Sequence, residues 1–405
     1  MSHAATPTLS QDQLRLPRSA VWRSLPWAAA AVGLLALVVH WLLGRGAGAA
    51  RQAHFSYLVA MLYWLSIALG ALFFVIVQFA TKAGWSVVVR RLAEHAMITL
   101  PLLGLLFVPI VGGMHELFHW SHPEAMQHDA LLASKAPYLN VPFFSARALL
   151  YFVTWTALAW LFYRRSVRQD LDGAPQATER LQRLSGPAII LFALTVTFAA
   201  FDWLMSLDPH WYSTMFGVYY FAGCVVAIFA FLALVGLLLR RARVLADVIT
   251  VEHYHDLGKL LFGFTVFWTY IAFSQFMLIW YGNLPEETIW YARRLIGSWG
   301  QVTLVLALGH FVVPFFYLMT RATKRRGATL LPAALWLLTV HYLDLYWLVM
   351  PILHPEGARP CLLDLTAFLG VGGCFVALFG RQLRRHALVP MRDPRLAESL
   401  AFENY

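Results

Sequence analysis

The stretch GGMHELFHWSHPEAMQH, residues 112–128, carries four histidines, and His115-Glu116-Leu117-Phe118-His119 within it matches the H-E-x-x-H pattern of zinc peptidases. On a helix this spacing puts two imidazoles on one face and leaves the glutamate free to act as general base for a metal-bound water. Catalysis then needs a third protein ligand. In an intramembrane enzyme a later helix would supply an aspartate, and Leu171-Asp172-Gly173 offers Asp172; His122 and His128 are nearer candidates. The competing reading is a His-rich exposed loop that contacts water or a partner subunit.

A second set of residues suits proton chemistry. His341 and Asp344 stand three apart in LTVHYLDLYW, so on a helix they share a face and come within reach of each other. Asp344 is expected to hold the His341 tautomer or to exchange a proton with it. Asp202 in TFAAFDWLMS, His310 in LALGHFVVP and Gln275 lie in similarly apolar surroundings, and Arg147 either joins this polar path or snorkels outward. Each has a structural alternative: Asp202 bonded to Ser206 or to backbone, His341 and Asp344 joining two helices, and His310 as a hydrogen-bonded core residue. A haem held between His310 and His341 is disfavoured, because Asp344 crowds one of them and no second histidine pair is present. Asp208 is expected to organise the turn at Pro209, and Asp256 to cap the helix that follows it.

What must position these residues is a set of membrane-spanning helices. Of the 405 residues 60% are hydrophobic and only 13% charged, well away from the average soluble domain, with about 25% charged. A bilayer core of about 30 Å takes about 20 apolar residues per helix. Ten runs fit that ruler: 26–43, 55–80, 93–113, 143–163, 187–207, 215–239, 260–281, 298–320, 329–350 and 363–380. They are too long, and too little alternating, for barrel strands. The expected fold is therefore an all-α polytopic membrane protein: residues 1–25 form an N-terminal segment, 26–380 a ten-helix domain and 381–405 a C-terminal tail.

Lys and Arg orient the helices. Most of the 31 fall at the N-terminus, after even-numbered spans and in the tail. Only Arg45, Arg51, Lys135, Arg147, Arg293, Arg294 and Arg359 fall on the other side. Both termini are thus expected in the cytoplasm, and the net charge of +10 is a topology signal that needs no nucleic acid. The Arg-bearing leader resembles a cytoplasmic segment more than a cleaved signal. The longest outer loop, 114–142, holds the H-E-x-x-H letters, about one bilayer away from Asp172 on the inner side. A second outer segment, 282–297, reads as a short interfacial helix with Asn283 as its cap and Trp290 and Tyr291 at headgroup level. Cys224, Cys361 and Cys374 form no C-x-x-C and cannot ligate an Fe–S cluster by themselves.

Two long strings sharpen the functional expectation: FDWLMSLDPHWYSTMFGVYYFAG at 201–223 and HDLGKLLFGFTVFWTYIAFSQFMLIWYGNLPEETIWYARR at 255–294. They resemble the NrfD-like membrane subunits of quinol:cytochrome c oxidoreductases, most closely the second of the two such subunits in bacterial alternative complex III. The similarity is dense over roughly 185–300 and looser elsewhere. It implies two four-helix bundles plus two extra helices in a bacterial inner membrane. It implies as partners a paralogous NrfD-like subunit, a periplasmic Fe–S protein and multihaem cytochrome c subunits, besides membrane lipid. Quinol or menaquinol is the reductant of such a complex, and its haem c and Fe–S clusters reside on the other subunits. The accepted quinol site belongs to the paralogue, so this chain is expected to serve as scaffold and proton conduit, with Asp202, His310, His341, Asp344 and Gln275 along the path and with no cofactor or metal of its own. His115, Glu116, His119 and His122 then read as a docking or proton-exit surface. The competing functions are a stand-alone secondary transporter and, less favoured, an intramembrane zinc protease.

Overall fold

The computed structural model describes residues 14–17, 19–46 and 48–404; the leader up to residue 13, and Arg18, lie outside the described residues. The described chain is helical, with no strand, and ten helices are long and apolar enough to cross a membrane: an all-α polytopic membrane protein. These are α1 (Val21–Leu43), α2 (Ala49–Ala80), α3 (Val87–Gly112), α4 (Val141–Asp172), α5 (Pro175–Leu207), α6 (Phe216–Arg241), α7 (Val251–Gly282), α8 (Gly297–Met319), α9 (Gly327–Ile352) and α10 (Leu362–Arg385).

Packing sorts them into two four-helix groups and one pair. Helices α2 to α5 close on one another, and so do α6 to α9; the seam runs along α2 and α6. Both seam helices are apolar all round and nearly wholly buried, as a helix at the centre of a bundle must be. Helix α10 lies against α2, and α1 is held almost entirely by α10. That last contact is backbone to backbone, since a Cβ on Gly33 would fall 2.8 Å from the Cys374 nitrogen and 2.9 Å from the Gly373 carbonyl carbon. Without a hydrophobic force between helices in lipid, small residues that permit such approach are the usual adhesive.

Several elements differ from the sequence expectation. Helices α4 and α5 outrun the bilayer and form a helical hairpin where a loop is expected. Gly173, at φ 65°, turns the chain, and Gln169 Nε2 donates to Thr178 Oγ1 at 2.9 Å across it. Asp172, the distant zinc candidate, accepts from the Ala174 N–H within this turn. Helix α7 begins a good two turns early, capped by Thr250 in a reciprocal arrangement with His253, so Asp256 is not its cap. Asp256 pairs with Lys259 and accepts from Asn404 instead. Asn283 terminates α7 in a left-handed conformation, and Leu284 precedes the next helix, Pro285–Leu295. Trp290 and Tyr291 of that helix are buried against protein.

The C-terminal segment beyond α10 folds back over the helix ends. Asp393 pairs with Arg90 at 2.5 Å, the Met391 N–H donates to Asp170, and His253 Nε2 meets the Ser399 carbonyl at 3.0 Å. Arg90 and Arg91, which by sequence read as topology charges, are therefore buried structural residues. They share Glu94, and Arg91 also pairs with Asp170 at 2.8 Å.

Candidate functional site

The polar residues of the second bundle converge from four helices. Asp344 on α9 is 1% exposed and accepts a 2.5 Å hydrogen bond from the Tyr219 hydroxyl of α6. Among the described residues no Lys or Arg lies within 4.0 Å of it. His341, one turn earlier, turns to α2: its Nε2 meets Ser66 Oγ at 2.8 Å, while Nδ1 has no protein partner. His341 and Asp344 thus do not bond to each other, contrary to the expectation from their spacing. A three-residue step is about 300° on an ideal helix, and the two side chains reach different neighbours. Gly223 of α6 makes room for the imidazole, for a Cβ there would lie 2.8 Å from His341 Cε1.

His310 sits in α8 where the helix widens to π geometry over Ala307–Val312. The cause is local. Pro314 has no N–H to offer the His310 carbonyl, and its ring presses on that turn. The freed Gly309 carbonyl accepts from Trp336 Nε1 at 2.7 Å. The His310 ring is buried and stacked on Trp268 of α7 at 3.7 Å, with neither nitrogen bonded to protein. Trp268 also touches Tyr219, ring centroids 5.7 Å apart, so its indole links His310 to the Asp344–Tyr219 pair by contact. Buried polar groups in native proteins are mostly bonded, and both ring nitrogens of His310 and Nδ1 of His341 depart from that rule.

Gln275 lies apart from this group. It accepts from Ser213 Oγ at 2.9 Å and donates to the Tyr291 hydroxyl at 3.0 Å, tying α7 to two connecting segments. Asp202 belongs to the other bundle. Arg147 of α4 grips it with two bonds, at 2.8 and 2.9 Å, and the Tyr151 hydroxyl adds a third at 2.8 Å. The guanidinium also lies over the rings of Tyr138 and Phe143. Arg147 is therefore the partner of Asp202 and does not snorkel. Ser206 bonds to the Asp202 backbone carbonyl, leaving the carboxylate to Arg147 and Tyr151.

The H-E-x-x-H letters are not on one helix. The turn Met114–Leu117 ends at Phe118, which is extended, and His119 opens a separate short turn. His115 and His119 therefore lack the common helical face that a zinc peptidase needs. His115 Nδ1 meets Ser121 Oγ, His122 Nε2 meets the His115 carbonyl, and His115, His119 and His122 are exposed, with Glu116 partly so. Among the described residues no three His, Cys, Asp or Glu gather in a way that could hold a metal.

Sequence reasoning missed Tyr219, Ser66 and Trp268. A phenol or a serine in an apolar run is too common to stand out, and only the helix packing makes them neighbours of titratable groups. It also missed Arg294, which lies fully buried and donates to the Trp290 carbonyl of its own helix and to the carbonyls of Trp347 and Leu348 near the end of α9. A groove of about 810 Å3 between α1, α2, α6, α9 and α10 passes Tyr63, whose ring centroid is 5.7 Å from that of His341. No family model matches the chain, and no curated protein is significantly similar to it.

Proposed function

We propose that this chain is a membrane subunit of a quinol-oxidising electron-transfer complex of the NrfD-like kind, serving as scaffold and as part of a proton conduit in a bacterial inner membrane. The observation that carries the reading is the group in the second bundle: Asp344 bonded to a neutral phenol, and two buried histidines with free ring nitrogens. Such groups are costly at membrane depth and are kept where protons or ions move. An imidazole can accept a proton at one nitrogen and give one up at the other, and the short Tyr219–Asp344 bond offers a carboxyl to receive it. The two strings that resemble NrfD-like subunits supply Tyr219 and Trp268, which touch Asp344 and His310 respectively. In this reading quinol oxidation, haem c and Fe–S chemistry belong to partner subunits, and the isolated Cys224, Cys361 and Cys374 take no part in electron transfer. The exposed histidines of 115–122 face the solvent as a docking or proton-exit surface.

The test compares quinol:cytochrome c activity and proton release in complexes carrying Asp344→Asn, His341→Ala or His310→Ala. Proton release that falls while electron transfer persists supports the conduit; unchanged values in all three leave only the scaffold. Affinity purification addresses the complex itself. Haem and Fe–S proteins should co-purify with the chain, whereas a chain that comes out alone and well folded would favour a stand-alone secondary transporter.

A further inference from the structure

Helices α1 and α10, with Leu102 of α3, enclose a groove of about 610 Å3, a size typical of ligand clefts. Its walls are apolar: Trp27, Ala30 and Leu34 on one side, Leu378 on the other. From Pro26 to Leu34 it runs about 12 Å at 1.5 Å per residue, close to the depth of one leaflet of a bilayer whose apolar core is about 30 Å thick. At the end nearest the chain termini it is closed by Arg381, Arg384 and Arg385.

Some arginines at that end are neutralised. Arg90, Arg91, Arg325 and Arg395 are all paired with carboxylates. Arg381, Arg384 and Arg385 are exposed, and among the described residues no carboxylate lies within 4.0 Å of any of them. Arg384 donates only to the Arg23 carbonyl, and Arg23 lines an adjoining recess with it. The positive field reaches His386, which is held below its ordinary pKa by burial first and then by Arg91, Arg385 and Arg15. Three unneutralised guanidiniums over an apolar, leaflet-deep groove match one chemistry: a phosphate headgroup on hydrocarbon chains.

We infer that this groove is a binding site for an anionic phospholipid, with the phosphate on Arg381, Arg384 and Arg385 and an acyl chain along Trp27, Ala30 and Leu34. The site does not depend on which complex, if any, the chain joins. It would also explain how α1, held almost wholly by α10, keeps its place: the lipid fills the side that protein leaves open.

The test is native mass spectrometry of the full chain, delipidated in detergent and titrated separately with dioleoyl phosphatidylglycerol, dioleoyl phosphatidylcholine and inorganic phosphate. Phosphatidylglycerol should bind about tenfold or more tightly than phosphatidylcholine. Each Arg→Gln change at 381, 384 and 385 should cost about fivefold, the effect of about 1 kcal/mol per basic side chain at an anionic surface. The triple Arg→Lys chain should stay within a few-fold of wild type. Ala30→Phe, which fills the groove and leaves the charges alone, should weaken both lipids and spare phosphate. Equal affinity for the two lipids, an unaffected triple Arg→Gln chain, or phosphatidylglycerol binding indifferent to Ala30→Phe would each overturn the proposal; the last would mean an anion on surface arginines alone. Circular dichroism and a monodisperse elution profile establish that each variant is folded.

Discussion

Two buried aspartates, one in each four-helix group, stand in opposite circumstances. Asp202 is gripped by both arms of Arg147 and by the Tyr151 hydroxyl. Asp344 is as deeply buried, yet its hydrogen-bonding partner is the neutral Tyr219 phenol. A fork-to-fork pair is geometrically fixed and fastens α4 to α5. A carboxyl bonded to a phenol can gain or lose a proton without stranding an opposite charge. Depth alone therefore does not tell what an intramembrane carboxylate does; its partner does. The buried carboxylate of the first bundle is clamped by a charge, and that of the second is bonded to a neutral group.

The comparison breaks most visibly at Asp202. Asp202→Asn should cost about 3–5 kcal/mol, because it leaves the Arg147 charge buried and uncompensated. A lowered thermal midpoint in detergent would register it, and adding Arg147→Met to the same chain should recover much of the loss. If Asp202→Asn is as stable as wild type, the clamp is not structural. Next in size is Gly223→Ala. The new Cβ would press on His341 Cε1, and such overpacking costs about 1–3 kcal/mol. His341→Ala in the same chain should relieve it, so the two changes should be strongly non-additive in the same unfolding assay.

Asp344→Asn sharpens the contrast from the other side. An amide oxygen can still accept from Tyr219, so the stability change should stay within about 0.5–1.5 kcal/mol, the worth of one hydrogen bond. Under the proposed conduit role, proton release should nevertheless fall. A loss of stability as large as that for Asp202→Asn would erase the distinction. The smallest effect lies outside the membrane. Asp129 is held below the usual carboxylate range by its hydrogen bond to His210 and by the Leu132 N–H, and it caps the short helix Ala130–Lys135. With a depressed folded pKa, its contribution is full above about pH 4, the unfolded value, and is lost as pH falls through the folded pKa. Hydrogen exchange of the 129–136 segment should speed up only at that acid end. Asp129→Ala should show the faster exchange at neutral pH already.

Much of the membrane architecture was legible because hydropathy over about 20 residues is a local property. The ten apolar runs 26–43 to 363–380 all lie within or across the observed helices. Their ends were less legible. Helices α4 and α5 continue past the apolar stretch because Arg91 and the Gln169–Thr178 bond support them from outside it. The titratable residues Asp202, His310, His341 and Asp344 stood out as polar letters in apolar text, but their pairing did not. The spacing of His341 and Asp344 suggests a mutual bond, whereas α2 and α6 offered each a better partner. The H-E-x-x-H letters failed in the opposite sense, since a pattern needs a continuous helix and Phe118 interrupts it.

By itself the sequence determined composition, the number of spans and the candidates for intramembrane chemistry, because each depends on residues within one or two turns of one another. Only the tertiary structure decided which candidates are neutralised. Arg147 lies 55 residues from Asp202 and Tyr219 lies 125 residues from Asp344, and the chain supplies no local rule for which helix faces which. In a low-dielectric interior the charge state and role of a group follow from what it touches, and contacts across a bundle exist only once the bundle has formed.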